Sequence, residues 1–235
     1  MIVSIRKLSL ENTVFFFIVS FSVVEARDIN RELHHYIETR GTDSQEVRWD
    51  LSHGNGFRLV YQKASETHVT ETNETLVTLV WSMQDHLNQC DLEARRENNT
   101  IFIKGRYLGQ SVDKQIKVDD APWFQATSLS LRRFVMSQQK EIQFWSLRPD
   151  TQKGYKLKAV KVDREVLTIL GEPVEAVKIK LSLLGWKASF WKSHCWYSTS
   201  DGLFVRFEGP ANAAGTKRIM IEYTGKNVGM GLSCL

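Results

Sequence analysis

Cysteine is scarce in this chain: 235 residues contain three, Cys90, Cys195 and Cys234. An odd number allows one bridge at most and leaves a thiol over, so no disulfide framework holds the fold together. A packed core must do that. Excess charge of one sign is also missing. The 31 Lys and Arg residues stand against 27 Asp and Glu, a formal net charge of +4, and they form no basic stripe. That excludes a dedicated nucleic-acid binder and leaves a weak attraction to anionic membrane surfaces. No apolar run reaches the roughly 20 residues that a spanning helix needs. No internal repeat and no Pro-, Gly- or Ser-rich linker divides the chain, so a single domain is expected.

Chemical signatures are equally thin. There is no Gly-rich phosphate loop after a strand, no serine elbow and no paired-carboxylate motif. The six histidines are scattered, and none stands at zinc-finger spacing from a cysteine. The adjacent pair His34-His35 reads as an exposed pair rather than a ligand set. No cofactor and no metal are expected.

The N-terminus carries an address. Arg6 and Lys7 precede the apolar run 14-VFFFIVSFSVV-24, and Val24 and Ala26 hold the small-residue positions of a cleavage site. This is the pattern of a secretory leader cut after Ala26. The expected mature protein, residues 27–235, is exported and soluble. Two basic residues (Arg6, Lys7) and two acidic ones (Glu11, Glu25) leave with the leader, so the charge stays unchanged.

Beyond the leader, 29-INRELHHYIETR-40 reads as a short helix closed by Gly41. Period two then takes over. Val47, Trp49 and Leu51 alternate with Glu46, Arg48 and Asp50, as a half-buried strand requires. Turn signals such as Gly54-Asn55-Gly56 and Asn98-Asn99 separate further β-branched runs. In 177-VKIKLSL-183 the apolar and polar residues alternate strictly, the pattern of an antiparallel sheet covered on one side. One interruption, 119-DDAPWFQATSLSLRRFVMSQQKE-141, reads as a helix over 122–140. Asp120 stands as its N-cap, Pro122 lies in its first turn, and Trp123, Thr127, Leu131, Phe134 and Val135 form an apolar stripe. The expected fold is mainly β: a curved antiparallel sheet of about ten strands with one covering helix.

The stretch 187-KASFWKSHCWYSTSDGLFVRFEG-209 places a histidine beside a cysteine. Neighbouring strand residues point to opposite faces, so His194 cannot come within the roughly 3 Å of the Cys195 thiol that a base needs. Asp201-Gly202 is better explained as a turn. Aromatic residues raise another possibility. Trp145, Trp186, Trp191 and Trp196 cluster with Phe144, Phe190, Tyr197, Phe204 and Phe207. One helix cannot cover the apolar face of so large a sheet. Either the sheet fills itself, or it leaves a concave apolar trough for a ligand.

The order of elements resembles a known group. The runs 129-LSLRRF-134, 142-IQFWSLRPD-150, 174-VEAVKIKLSL-183 and 194-HCWYSTSDGLFVRFEG-209 are similar to those of a family of uncharacterised bacterial periplasmic proteins. That family is similar in fold to the lipoprotein-localisation carriers and their outer-membrane receptors. The resemblance implies an open half-barrel with a helix on its concave side, used by the carriers for acyl chains, and it brings no catalytic residue. The expected function is that of a periplasmic, non-enzymatic carrier of an apolar molecule or lipid, or an accessory in envelope assembly with protein partners there. Expected lining residues are Trp123, Phe134, Trp145, Val177, Ile179, Leu181 and Trp191, with Arg132 or Arg133 meeting an anionic headgroup. A filled core without ligand, and a thiol enzyme using Cys195 with a distant histidine, are the alternatives.

Overall fold

The computed structural model describes residues 30–185, 191–210 and 216–227. The expected leader, Trp186, Phe190 and Cys234 lie outside them. Eight strands follow one another in the first half: β1 (Asn30–Arg40), β2 (Asp43–Gly54), β3 (Gly56–Lys63), β4 (Glu66–Thr72), β5 (Thr78–Asp85), β6 (Cys90–Glu97), β7 (Thr100–Tyr107) and β8 (Gln110–Lys117). Two short helical segments, α1 (Thr127–Ser130) and α2 (Arg132–Met136), then interrupt them. The second half is β9 (Glu141–Arg148), β10 (Lys153–Ile169), β11 (Glu172–Leu183), β12 (Lys192–Ser198), β13 (Phe204–Pro210) and β14 (Arg218–Asn227).

All fourteen strands form one unclosed antiparallel sheet in the order β8-β7-β6-β5-β4-β3-β2-β1-β14-β13-β12-β11-β10-β9. Two meanders are thus joined where the first strand meets the last, with Tyr36 opposite Tyr223. Residues 118–140 cross from the edge at β8 to the edge at β9. Trp123 makes a parallel bridge to Trp145 on β9, and the Thr78 amide donates to the Trp123 carbonyl at 2.9 Å. Beside this strap the two edges meet through side chains. A Cβ at Gly154 would come within 2.9 Å of Ile116, so a glycine is what lets β10 approach β8.

The mainly β, curved and open architecture expected from the alternation is present. Three details differ. The described residues form fourteen strands rather than about ten. Residues 30–40 are a strand, not a helix, because β2 and β14 hydrogen-bond it along both sides. His34 and His35 therefore face opposite ways: His34 is buried and bonded to Glu32, and His35 is bonded to Glu46. The continuous helix over 122–140 is also absent. Pro122, Trp123 and Phe124 spend their backbone groups on β9 and β5, and Asp119, not Asp120, binds the Ala121 amide. Only 127–136 turns helical. The inward stripe of Leu131, Phe134 and Val135 survives and joins the main core with Tyr36, Trp49, Phe144, Ile179 and Tyr197. Trp123 belongs to a second cluster at the seam, with Leu92, Ile101, Ile103 and Leu147.

Candidate functional site

On the concave face, strand pairing stacks side chains into rows. Trp49 lies opposite Tyr61, Tyr61 opposite His68, and His68 opposite Met83. The next row runs from Leu51 through Leu59 and Thr70 to Trp81, and the row nearer the turns runs from Val47 through Lys63 and Glu66 to Asp85. Period two dictates this arrangement: every second residue of each strand faces inward. These rows, with Phe204, Phe207, Ile219 and Ile221 from β13 and β14, enclose a cavity of about 430 Å³. Ala126, Thr127 and Ser128 at the start of α1 close one side of it. Tyr107, Pro149, Asp150, Lys63 and Glu66 flank turns, and all of them line it. The cavity therefore reaches the end of the half-barrel where those turns gather.

The wall mixes apolar and polar surface, and it carries charged groups near that end. Glu38 is buried to 2% exposure. Its carboxylate accepts from Lys63 at 3.1 Å and from the Gln45 amide at 3.0 Å, so the buried charge is matched as burial demands. Glu66 pairs with His68 at 3.6 Å, and that contact holds its carboxyl below the usual range against the opposing effect of burial. The His68 ring meets Tyr61 edge-on at 5.3 Å and tilts against Trp81 at 5.7 Å. Burial pushes the Tyr61 hydroxyl well up, so it stays a neutral donor. The composition fits an amphiphile: hydrophobic body inside, a few fixed polar groups at the opening.

Cys195 borders this cavity from β12 but is 1% exposed. Burial alone pushes its thiol far up, which removes the thiolate that a nucleophile requires. His194 lies on the other face of β12, with its ring 6.0 Å from Trp196, while Cys195 and Tyr197 enter the main core. The two residues do not form a dyad. Cys90 is likewise buried and unbridged. Among the described residues no three His, Cys, Asp or Glu side chains are grouped to hold a metal ion, and no helix is long and apolar enough to cross a membrane.

The lining residues proposed from the sequence fall elsewhere. Phe134, Val177, Ile179 and Leu181 pack in the main core, with Trp191 half-buried against it. Trp123 and Trp145 sit together at the seam. Arg132 is half-buried and Arg133 exposed. None of the nine is among the residues that line the cavity. The largest contiguous part of the wall comes from β2 to β5, where aromatic residues are sparser than over 144–207. Its signal lay in parity. Lys63, Glu66 and His68 hold inward positions that a purely structural sheet would fill with apolar side chains.

No protein-family model matches the chain, and no curated protein is similar to it in sequence. Solved structures do share its architecture. A β-barrel-like protein, a domain of unknown function (DUF1849) from Brucella abortus, superposes with a TM-score of 0.58 at 8% identity, covering 86% of this chain and 99% of that one. This chain thus has the fold of that β-barrel-like protein. Weaker similarities include a putative outer membrane lipoprotein-sorting protein domain from Vibrio parahaemolyticus (TM-score 0.31, 6% identity, 86% of this chain and 87% of that one). A LolA superfamily protein from Nitrosomonas europaea is another (TM-score 0.27, 7% identity, 86% and 87%).

Proposed function

We propose that this protein is a non-enzymatic binding protein or carrier for a lipid-like amphiphile, working in the bacterial periplasm. The observation that carries the reading is the cavity of about 430 Å³ on the concave face. That volume lies within the range of about 300–1,000 Å³ typical of ligand pockets. Trp49, Leu59, Trp81, Met83, Phe204 and Ile221 give it an apolar body, and each methylene moved there from water gains about 0.8 kcal/mol. Glu38, Lys63, Glu66 and His68 give the same cavity its charged part, where a polar headgroup would sit. The buried, protonated Cys195 and its separation from His194 speak against thiol catalysis. The periplasmic assignment rests on the leader pattern before Arg27.

Solvent extraction of the full-length protein, purified without detergent from its native host, tests this. The expected result is an acyl-chain compound recovered in roughly molar proportion to protein. Extracts indistinguishable from those of a control protein of the same host would favour the ligand-free alternative.

A further inference from the structure

Several surface cations of this sheet are matched by acids. Arg31 and Arg48 meet Asp50, Arg58 meets Glu71, Arg95 meets Glu93, Lys178 meets Glu165 and Arg206 meets Glu222. Others have no such partner, and five of these gather at one edge. Arg132 and Arg133 on α2, Lys140 just after it, and Lys161 and Arg164 on β10 have no acidic partner within ion-pair distance among the described residues. Topology brings them together. The Lys161 amide donates to the Lys140 carbonyl at 3.0 Å. The Lys161 ammonium lies 4.9 Å over the Phe134 ring and donates to the Ser137 carbonyl. Arg132 backs the β12–β13 turn at Gly202, and its Nε is buried without a partner. Of the acids nearby, Asp163 and Asp201 each accept a backbone amide, and Glu141 is paired with Lys158.

Cations gathered without acidic partners repel one another. Within the same edge Met136 is 52% exposed and Val166 66% exposed. Basic side chains surrounding protruding apolar ones suit an interface between charged headgroups and acyl chains better than they suit a free anion in water. We infer that the edge formed by α2 and the middle of β10 docks on an anionic lipid bilayer, with Arg133, Lys140 and Arg164 meeting headgroups and Met136 entering the interface. This surface lies apart from the cavity and does not depend on its occupant.

Flotation of the full-length protein with vesicles tests it, using phosphatidylcholine alone against phosphatidylcholine mixed with phosphatidylglycerol. The mixed vesicles should retain the protein, and neutral ones should not. Each basic residue at such a surface is worth roughly fivefold in affinity, so Arg133→Glu with Arg164→Glu should weaken binding by at least roughly 20-fold. Both residues are exposed, and unchanged circular dichroism confirms the fold. Arg58→Glu with Arg95→Glu makes the same net change on the acid-matched face and should leave binding within about twofold. Met136→Asp should also weaken it, and excess inorganic phosphate should not displace the protein. Equal binding to neutral vesicles, equal loss in both double variants, or displacement by phosphate would each overturn the inference. Vesicle binding without recoverable ligand would instead count against the carrier reading alone.

Discussion

Toward the β3–β4 and β9–β10 turns the concave wall encloses about 430 Å³, whereas below α1 the same sheet is filled by Leu129, Leu131, Phe134 and Val135. Length explains the difference. The helical segments have 4 and 5 residues, which at 1.5 Å per residue reach about 14 Å. Strands such as β2 and β3, with 12 and 8 residues, extend about 26–40 Å at 3.3 Å per residue. A plug that short covers part of the trough and leaves the rest. A half-barrel therefore needs no dedicated machinery to have a pocket; it needs a strap too brief to fill it.

The contrast can be broken most forcefully in the filled half. Leu131→Ala removes a side chain of 0% exposure and should cost about 2–5 kcal/mol in urea unfolding. A cost below about 1 kcal/mol would mean that the plug is not packed as described. Enlargement probes the same contrast from the other side. Leu131→Trp should cost about 1–3 kcal/mol by overpacking. Met83→Trp grows into existing space and should cost less than about 1 kcal/mol, while excluding the ligand. Similar penalties at both positions would erase the distinction between the two halves.

Acid titrates the filled end through Glu32. His34 Nε2 donates to this carboxylate at 2.9 Å and Lys226 lies 3.2 Å away; together they hold its carboxyl at about 2 rather than 4.5. A depressed carboxyl stabilises the fold above its unfolded value, and that stability disappears as pH falls from about 4.5 toward 2. After allowance for solvent screening the effect is on the order of 1–2 kcal/mol. Glu32→Gln should flatten stability over this window, measured by thermal melts at successive pH values. The smallest effect belongs to the open end. Leu108 holds φ +50° at the β7–β8 turn while 60% exposed, a conformation that suits Asn or Gly better than a leucine. Leu108→Asn should add about 0.5–1 kcal/mol, read as a raised melting midpoint.

The alternation in 177–183 made β11 legible because its inward residues are all apolar and its outward ones polar. In β1 the same geometry was hidden: His34 and Glu38 face inward beside Tyr36, and an i, i+3, i+4 pattern could be read through them. β1 is held as a strand by β2 on one side and by β14 on the other, and β14 lies nearly the whole chain away, so local pattern carries no trace of it. The break in the 122–140 helix has a similar origin, since Trp123 is claimed by a bridge to Trp145 and by Thr78. The inward stripe of the helix was legible, and the geometry separating His194 from Cys195 followed from parity alone. The cavity was not legible, because its wall depends on the register of four successive strands, set by turn geometry, and on β13 and β14 from the far end of the chain.

Native mass spectrometry of the full-length protein purified without detergent, alongside Met83→Trp, tests most directly whether the open half is a binding site. The account predicts an adduct of amphiphile mass on the wild-type protein and its loss from the folded variant. Bare protein in both samples, or the same adduct on both, would contradict it.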